Sequence, residues 1–400
     1  MKILVFSSFF PPEIGAAPMR IFEHASYWSA EGHSVTVVTN VPNSPIGKIY
    51  KGYKNRLHQE ETYRGIKVVR LLTVPAGKQM SMWRRAMSLV ASMFMYCLAA
   101  VKVPQPDVVI ATAPYLTGIP GIFASIWHRK PLIYELRDPW LQVAAESCKV
   151  KAKSVVYKIL SAIERIIAKH AKDVVVIGKE MANVIKQDLH LTKTPEVISN
   201  GIKTEEQIIS PDSARIPNLE GKFVIGMIGN MGVQYDFDVI LEAAADLSQE
   251  TCFFLFLGDG GQKKHLKEKS RRLKLQNVGF FPPVPAEEAF LWMRSCDVTL
   301  VSMRGQPIFR IYLPKKVLDS LSLGISVLCG GSGEVQRILE ASGGGAFFPS
   351  GNKDVLVNLI RERLADKNKC RIEGQKGRTY VQKHFDRKAI AQKYLGIMTA

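Results

Sequence analysis

Residues 313–331 read LPKKVLDSLSLGISVLCGG and are the most informative segment of this chain. It predicts a short helix with a proline start and a glycine stop, followed at once by an apolar β-branched strand. Pro314 suits the first helical position, which places Lys315, Lys316 and free backbone N–H groups together at the helix N-terminus. Such an end attracts phosphate. One turn further, Asp319 is placed to accept hydrogen bonds from hydroxyl groups, so the helix suits a sugar nucleotide.

A second interpretation of this helix stays open. Lys315 and Asp319 are spaced i,i+4 and would form an exposed ion pair on an ordinary α/β helix. That pair has lysine in the less favourable N-terminal place and would contribute about 0.2–0.5 kcal/mol. Other segments are needed to separate the two interpretations.

Composition describes an ordinary globular chain. Its 400 residues are 46% hydrophobic and 22% charged, which allows two or three domains. The six cysteines show no CxxC spacing, so we expect reduced core residues in a cytosolic protein rather than disulfides. The first residues run directly into a strand-like segment, and secretion is not expected. HExxH and paired cysteines are lacking, so we expect no bound metal and no cofactor.

The positive charge is concentrated in the first half. Residues 1–200 hold 26 basic and 14 acidic residues, net +12, and residues 201–400 hold 28 and 22, net +6. A basic half is typical of proteins that bind nucleic acid, anionic membranes or acidic substrates. The sequence has no nucleic-acid-binding motif, and aromatic residues do not alternate with its basic residues, so nucleic acid is the least favoured partner.

One segment favours a membrane surface. Residues 86–101, AMSLVASMFMYCLAAV, carry no charge and follow Trp83, Arg84 and Arg85. A helix of this length is shorter than the ~20 residues needed to cross a bilayer core. It is therefore either a buried core helix or a helix lying in the membrane interface. Ten basic residues against two acids between Lys48 and Arg85 favour attraction to an anionic surface.

Apolar strand-like runs alternate with helical stretches along the whole chain. Two series of such units predict two doubly wound parallel-sheet domains. We place an acceptor-binding domain at residues 1–200, a nucleotide-sugar-binding domain at 201–380, and a C-terminal helix at 381–400 that packs back toward the first domain. The polar stretch up to Glu220 is typical of a linker. Ligands in such sheets bind beyond the carboxyl ends of the strands.

Small or charged residues follow several of the predicted strands. Gly15 and Ala16 come after the first strand, where small residues let the backbone approach a phosphate or sugar. Glu135, Arg137 and Asp138 lie near the end of the segment LIYELRDPW. Charged groups at the carboxyl end of a buried strand usually face the ligand-binding cleft. Alternatively, Arg137 and Asp138 form a structural pair that caps the loop. In the second series, Asn230 and Gly232 follow one strand, and Gly258 follows the next.

Together these segments resemble the family-4 retaining glycosyltransferases of the GT-B fold. The resemblance covers nearly the whole chain and is closest to the N-acetylfucosaminyltransferase-like branch that builds bacterial surface polysaccharides. The matching segments, in order along the chain, are FFPPEIGAAPMR, EGHSVTVVT, PDVVIATAP, YELRDPW, VISNGI, GNMG, LGDGG, LPKKVLDSLSLGISVL and GRTYVQKHF.

The resemblance implies metal-independent transfer of a sugar from a nucleotide diphosphate sugar, UDP above others, with retained anomeric configuration. In the family a glutamate binds the ribose, and Asp319 stands at that position. A second family glutamate is replaced by Ile311, and the basic residue that meets the diphosphate falls among residues 233–235, which are Val-Gln-Tyr. Lys315, Lys316 and Arg310 are therefore expected to hold the diphosphate instead. A family histidine aligns with Arg137, which with Asp138 is the candidate catalytic pair.

Three functions are consistent with these residues. The first is a glycosyltransferase that elongates a lipid-linked glycan, for O-antigen, capsule or a related polysaccharide, and sits peripherally on the cytoplasmic face of a bacterial inner membrane. The second is a GT-B sugar-nucleotide epimerase, which needs no lipid acceptor. The third is a catalytically silent, glycosyltransferase-like scaffold subunit, since the departures at Ile311 and residues 233–235 leave room for an inactive chain.

Overall fold

The computed structural model describes residues 1–13, 15–44, 47–75, 81–112, 117–139, 141–142, 154–202 and 219–400. These residues form two compact units, residues 1–200 with 388–400 and residues 201–387. Most of the predicted linker, the end of the PDVVIATAP segment and Trp140 lie outside the described residues.

The first unit is built on an eight-stranded sheet in the order β3-β4-β2-β1-β5-β6-β7-β8. Its strands are β1 (Lys2–Phe6), β2 (Ser34–Asn40), β3 (His58–Tyr63), β4 (Ile66–Leu71), β5 (Val108–Thr112), β6 (Leu132–Leu136), β7 (Asp173–Val176) and β8 (Glu196–Val197). Its helices are α1 (Ala16–Ala30), α2 (Met82–Lys102), α3 (Gly118–His128), α4 (Val155–His170) and α5 (Lys179–Asp188). Strands β1, β5 and β6 are buried over most of their length, as expected where helices cover both faces of a parallel sheet.

One edge of this sheet departs from the otherwise parallel pairing. Strand β3 pairs antiparallel with β4, and its sequence HQEETY alternates between exposed and half-buried residues. Arg64 and Gly65 join the two strands with φ of 48° and 85°, the left-handed geometry that a two-residue hairpin turn requires. The polar strand β3 is hard to recognise from apolar runs, which is why the sequence pattern missed it, whereas β4 is largely apolar and buried.

The second unit is built on a six-stranded sheet in the order β11-β10-β9-β12-β13-β14, all of whose pairs are parallel. Its strands are β9 (Phe223–Ile228), β10 (Cys252–Leu257), β11 (Val278–Phe281), β12 (Val298–Ser302), β13 (Ser326–Gly330) and β14 (Gly345–Phe348). Its helices are α6 (Asp238–Asp246), α7 (Lys263–Arg272), α8 (Ala286–Arg294), α9 (Lys315–Ser322), α10 (Glu334–Ser342), α11 (Lys353–Ala365) and α12 (Lys367–His384). A 3₁₀ helix, Pro307–Ile311, precedes α9.

Helix α9 begins one residue later than the sequence predicted. Pro314 is extended, with φ −60° and ψ 128°, and forms the N-cap instead of the first helical residue. Val317, Leu318 and Leu321 are fully buried, so the apolar face anchors the helix while Lys315 and Lys316 begin its first turn.

The last helix, α13 (Arg387–Thr399), belongs mainly to the first unit. The indole Nε1 of Trp28 in α1 donates to the carbonyl oxygen of Ala391 at 3.1 Å. The ring of Tyr394 stands edge-on to Trp28, with ring centroids 5.3 Å apart, and Lys393 Nζ donates to the carbonyl oxygen of Val197 at 2.8 Å. These contacts fix the end of the chain to the first sheet.

Helix α2 is buried on one side only. Tyr96, Ala99 and Ala100 are buried, whereas Trp83 and Phe94 are 82% and 62% exposed. A fully buried core helix, one of the two alternatives for this segment, does not match that exposure. In the part of the chain described here, every helix is too short or too polar to cross a membrane.

Candidate functional site

The carboxyl edge of the second sheet carries two glycine loops that lie backbone against backbone. The N–H of Gly229 donates to the carbonyl oxygen of Leu257 at 2.8 Å, and the N–H of Met231 donates to that of Asp259 at 2.7 Å. Gly258 has φ 131°, and a Cβ there would lie 2.2 Å from the Gly229 oxygen. Only glycine fits such an approach, so the loops after β9 and β10 form one rigid floor at the strand ends.

The N-terminus of α9 faces this floor. Its N-cap, Pro314, makes no side-chain cap, which leaves first-turn N–H groups for a ligand. The Lys316 ammonium lies 4.4 Å from the ring centroid of Tyr235 and 3.7 Å from where a Cβ on Gly229 would be. Among the described residues it has no hydrogen bond and no carboxylate partner, and burial lowers the pKa of Lys316 to about 8.

Lys316 therefore places a positive charge beside the loop after β9, which itself lacks a basic residue at residues 233–235. The family's basic loop residue falls among residues 233–235 here, and Tyr235 lies directly under the Lys316 ammonium. A half-buried ammonium without a counter-ion, beside a helix N-terminus and a glycine loop, is poised to bind a multiply charged anion. The charge comes from helix α9 instead of the loop.

Lys315 and Asp319, the two other residues of α9 predicted to bind the nucleotide, form an ion pair with each other. Lys315 Nζ donates to Oδ1 of Asp319 at 2.5 Å, with side chains 39% and 14% exposed. Burial raises the pKa of Asp319, and the charges of Lys315 and Arg387 partly oppose this rise. The i,i+4 pair of the second interpretation is thus present, but its carboxylate is largely buried. Whether Asp319 binds a ribose stays a prediction.

Two residues that the sequence analysis did not single out brace the glycine loop. Gln262 Nε2 donates to the carbonyl oxygens of Gly232 at 2.6 Å and Tyr235 at 3.1 Å. Arg304 Nε donates to the same Tyr235 oxygen at 3.2 Å, and its Nη2 lies 3.5 Å from Gln262 Oε1. Arg304 follows the buried strand β12, so a charged residue just past a strand end was the available signal.

Asn230, Gly232 and Arg310, which were also predicted to bind the donor, lie in the segments around the start of α9. Asn230 is exposed, and a Cβ on Gly232 would lie 2.8 Å from its Nδ2. Arg310 is exposed at the end of the 3₁₀ helix, and a Cβ on Gly333 would meet its carbonyl oxygen at 2.1 Å. Arg310 therefore lies against the loop that follows β13.

Gly15 and Ala16 lie in the first unit, at the start of α1. Gly15 is the N-cap, with φ 146°. The loop before it is held by Glu13, whose carboxylate accepts the backbone N–H groups of Asn43 at 2.9 Å and Ser44 at 2.8 Å. Burial raises the pKa of Glu13, against the lowering effect of these hydrogen bonds. Glu13 therefore holds the end of the loop after β1 against the backbone of residues 43–44.

Arg137 and Asp138 follow β6 in the first unit beside a buried polar network. Glu135, expected to face the cleft, is instead fully buried. Its Oε1 pairs with Arg20 at 2.7 Å and its Oε2 accepts the Tyr394 hydroxyl at 3.1 Å. That expectation was wrong because two distant helices cover the strand end. Burial lowers the pKa of Arg137, whereas Asp138 reaches solvent.

In the described part of the chain, no group of three or more His, Cys, Asp or Glu side chains is arranged to hold a metal ion. The positive groups in contact with the two glycine loops include Lys316, Arg304 and Lys263, whose Nζ donates to the carbonyl oxygens of Gly258 and Phe281. The site can therefore bind an anion through lysine, arginine and backbone N–H groups.

Comparison with known proteins bears on the family of the chain. The family described as "Glycosyl transferase 4-like domain" matches residues 15–201, and the family described as "Glycosyl transferases group 1" matches residues 210–380. The probable glycosyltransferase WbjE of Pseudomonas aeruginosa is 26% identical over 53% of this chain and 54% of its own length. The putative colanic acid biosynthesis glycosyl transferase WcaI of Escherichia coli K12 is 26% identical over 81% of this chain and 82% of its own. The chain thus matches about half the length of WbjE.

Solved structures share the fold over the whole chain. Sucrose-phosphate synthase from Thermosynechococcus elongatus superposes with a TM-score of 0.78 at 15% identity, covering 99% of this chain and 98% of that one. HepE of Anabaena, solved with UDP and glucose, has a TM-score of 0.74 at 16% identity, with full coverage of both chains. Such identities establish the fold only. With both family matches in order along two parallel-sheet units, the chain belongs to the glycosyltransferases of the GT-B fold, with a glycosyl transferase 4-like domain followed by a group 1 domain.

Proposed function

We propose that this protein transfers a sugar from a nucleoside diphosphate sugar, with UDP as the carrier, to a lipid-linked glycan, and that the anomeric configuration is retained. We assign it to the N-acetylfucosaminyltransferase-like branch of family 4. WbjE and WcaI, named as glycosyltransferases, the latter of colanic acid biosynthesis, support a role in a bacterial surface polysaccharide. HepE was solved with UDP, which supports a uridine carrier.

The observation that carries the proposal is the unpaired ammonium of Lys316. It lies at the uncapped start of α9, against the glycine loop after β9. Keeping a lysine there in the free protein is costly, because burial lowers its pKa to about 8. A bound diphosphate would offset that cost with charge-assisted hydrogen bonds.

The transfer breaks the bond between the anomeric carbon and the diphosphate oxygen, so negative charge develops on the leaving diphosphate. Lys316 and the first N–H groups of α9 stabilise that charge, the largest electrostatic contribution available to such a reaction. Lys315 and Arg310 are proposed as further diphosphate ligands, and Asp319 as the acceptor of ribose hydroxyl protons. Arg137 and Asp138 are the proposed catalytic residues of the first unit. No step requires a metal ion.

We further propose that the acceptor is reached at the cytoplasmic face of the inner membrane, where α2 docks peripherally. The exposed apolar side of α2 and the net charge of +12 on residues 1–200 support attraction to anionic lipid. A lipid-linked acceptor is presented at that surface.

A panel of nucleoside diphosphates tests the proposal first, by the shift each causes in thermal unfolding. A ligand at 100 times its dissociation constant should add about 2.7 kcal/mol. UDP should stabilise most, and GDP, ADP and CDP serve as matched controls. If none stabilises the chain, the site is inactive and the silent-scaffold function gains support.

Product analysis then separates the enzyme functions. With a labelled UDP-sugar and a bacterial lipid extract, we expect label in the lipid phase, an anomeric centre of unchanged configuration by NMR, and equal rates with and without EDTA. An epimerised UDP-sugar in the absence of lipid would favour the epimerase and contradict transfer.

A further inference from the structure

Large apolar side chains exposed on this protein are concentrated on three neighbouring helices. Of the eighteen in the described residues, thirteen lie on α2, α3 and α4. Isolated exposed apolar residues are common on soluble proteins, but a contiguous patch marks an interaction surface. We call the outer side of these helices the three-helix face.

Helix α2 contributes one continuous stripe. Its exposed apolar residues recur at intervals of three or four positions, which keeps them on one side of the helix; they are Trp83, Met87, Val90, Phe94, Leu98 and Val101. The stripe runs along nearly the whole length of the helix. The opposite side packs into the unit through Tyr96 and Ala100.

Helices α3 and α4 extend the stripe sideways. Ile126 and Trp127 of α3 are 63% and 57% exposed. Next to them, Val155, Ile159 and Ile166 of α4 are 72%, 53% and 62% exposed. The sequence analysis singled out none of these five, although α3 lies within the uncharged run of residues 108–128.

The three helices pack as one layer. His128 Nε2 of α3 lies 2.8 Å from the carbonyl oxygen of Ala100 in α2. On the other side, a Cβ on Gly118 of α3 would come within 2.5 Å of the Ile167 side chain of α4. A layer with such close approaches presents its outer residues on a common rigid surface.

Charge identifies the partner of the face. Helices α2 and α3 contain no acidic residue, and the single acid of α4, Glu164, is 2% exposed. Arg84, Lys102 and Lys158 are exposed on the same helices. The rim of a protein–protein interface is polar, whereas an apolar face with only basic charge complements anionic lipid headgroups.

We infer that the three-helix face, and not α2 alone, is a membrane-docking surface that lies flat on anionic lipid. This rests on the membrane association proposed above. Trp83 begins α2 and Trp127 ends α3, and the contact of His128 with Ala100 places the C-terminal ends of the two helices together. The two indoles therefore mark opposite ends of the face. Both reach the headgroup level, where tryptophan is favoured, only when the helices lie parallel to the bilayer.

The test uses the full chain and sedimentation with vesicles of phosphatidylcholine, with or without phosphatidylglycerol. One variant changes each helix: Trp83→Ser with Phe94→Ser in α2, Ile126→Ser with Trp127→Ser in α3, and Val155→Ser with Ile159→Ser in α4. Leu57→Ser is the matched control, because Leu57 is 67% exposed in the same unit but outside the face. Thermal unfolding with and without UDP verifies that each variant remains folded.

We expect each helix variant to bind phosphatidylglycerol vesicles at least about tenfold more weakly, and the control to bind like the unchanged chain. Loss confined to the α2 variant overturns the three-helix face and leaves docking by α2 intact. Unchanged binding in all variants overturns both. Self-association without lipid that the same variants abolish assigns the face to a second copy of the chain and also overturns the proposal.

Discussion

Replacing Lys316 with methionine should separate binding from stability in a way that few substitutions do. Methionine keeps the length of the side chain and its packing over Tyr235, but removes the ammonium. If the ammonium is held ready for a diphosphate, the variant loses nucleotide affinity without losing stability.

The magnitudes follow from the surroundings of the ammonium. A pKa of about 8 in place of 10.5 disfavours the charged form by about 3 kcal/mol. Attraction to the Tyr235 ring offsets about 0.5–2 kcal/mol of this. The free variant should therefore gain about 1–2.5 kcal/mol in unfolding free energy. Loss of charge-assisted hydrogen bonds to the diphosphate should cost about 1.5–3 kcal/mol of binding, roughly tenfold to a hundredfold.

Thermal unfolding measures both effects in one experiment. A UDP concentration that adds about 2.7 kcal/mol to the unchanged chain should add only about 0.9 kcal/mol when affinity falls thirtyfold. Lys264→Met, at an exposed lysine on α7, is the matched control and should change neither quantity. A Lys316→Met chain that is less stable and binds UDP normally would refute the reasoning, because Lys316 would then only pack against Tyr235.

Four further outcomes are expected. UDP affinity should fall as pH rises above about 8, because Lys316 of the free protein loses its proton there, whereas binding of the diphosphate needs the charged ammonium. Between pH 8 and 10.5 the same group should raise the stability of the unliganded chain as pH rises, because the unfolded state binds more protons than the folded state. Lys316→Arg should remove both trends. Asp319→Asn should weaken UDP by about 1–3 kcal/mol but leave inorganic pyrophosphate unchanged, and Asp319→Glu should bind UDP nearly normally; equal loss for both ligands contradicts the ribose assignment. Gly258→Ala should destabilise the chain, since its Cβ would meet the Gly229 oxygen at 2.2 Å; a normal unfolding temperature contradicts the rigid floor. Gln262→Ala, which removes the brace on the glycine loop, should lower UDP affinity in calorimetry more than it lowers unfolding temperature, and the reverse order would make the brace purely structural.

Much of the fold can be predicted from the sequence because it depends on local patterns. The apolar runs at residues 223–228 and 278–281 become strands β9 and β11 with the same limits. Strand β9 is buried throughout, and such a strand is a continuous apolar run in the sequence; strand β11 is an equally apolar but half-buried edge strand. Strand β3 was missed for the opposite reason, since its polar residues form a strand only through pairing with β4.

The candidate site divides in the same way. The sequence alone identified α9, its two lysines, Asp319 and the glycine loops, because helix starts and glycine turns are encoded by residues close together in the chain. It could not tell the two lysines apart, although they are adjacent. The structure pairs Lys315 with Asp319 and leaves Lys316 over Tyr235, which is 81 positions earlier in the chain.

Tertiary structure alone decided which apolar residues remain in solvent. The composition of α2 is compatible with a core helix or a surface helix, because an apolar side chain can be buried or exposed, and the sequence does not show which other element covers it. Only the packing of α2, α3 and α4 into one layer shows which side of each helix is left uncovered. The sequence therefore determined the helices and their chemistry, and the tertiary contacts determined which of their faces are available to a partner.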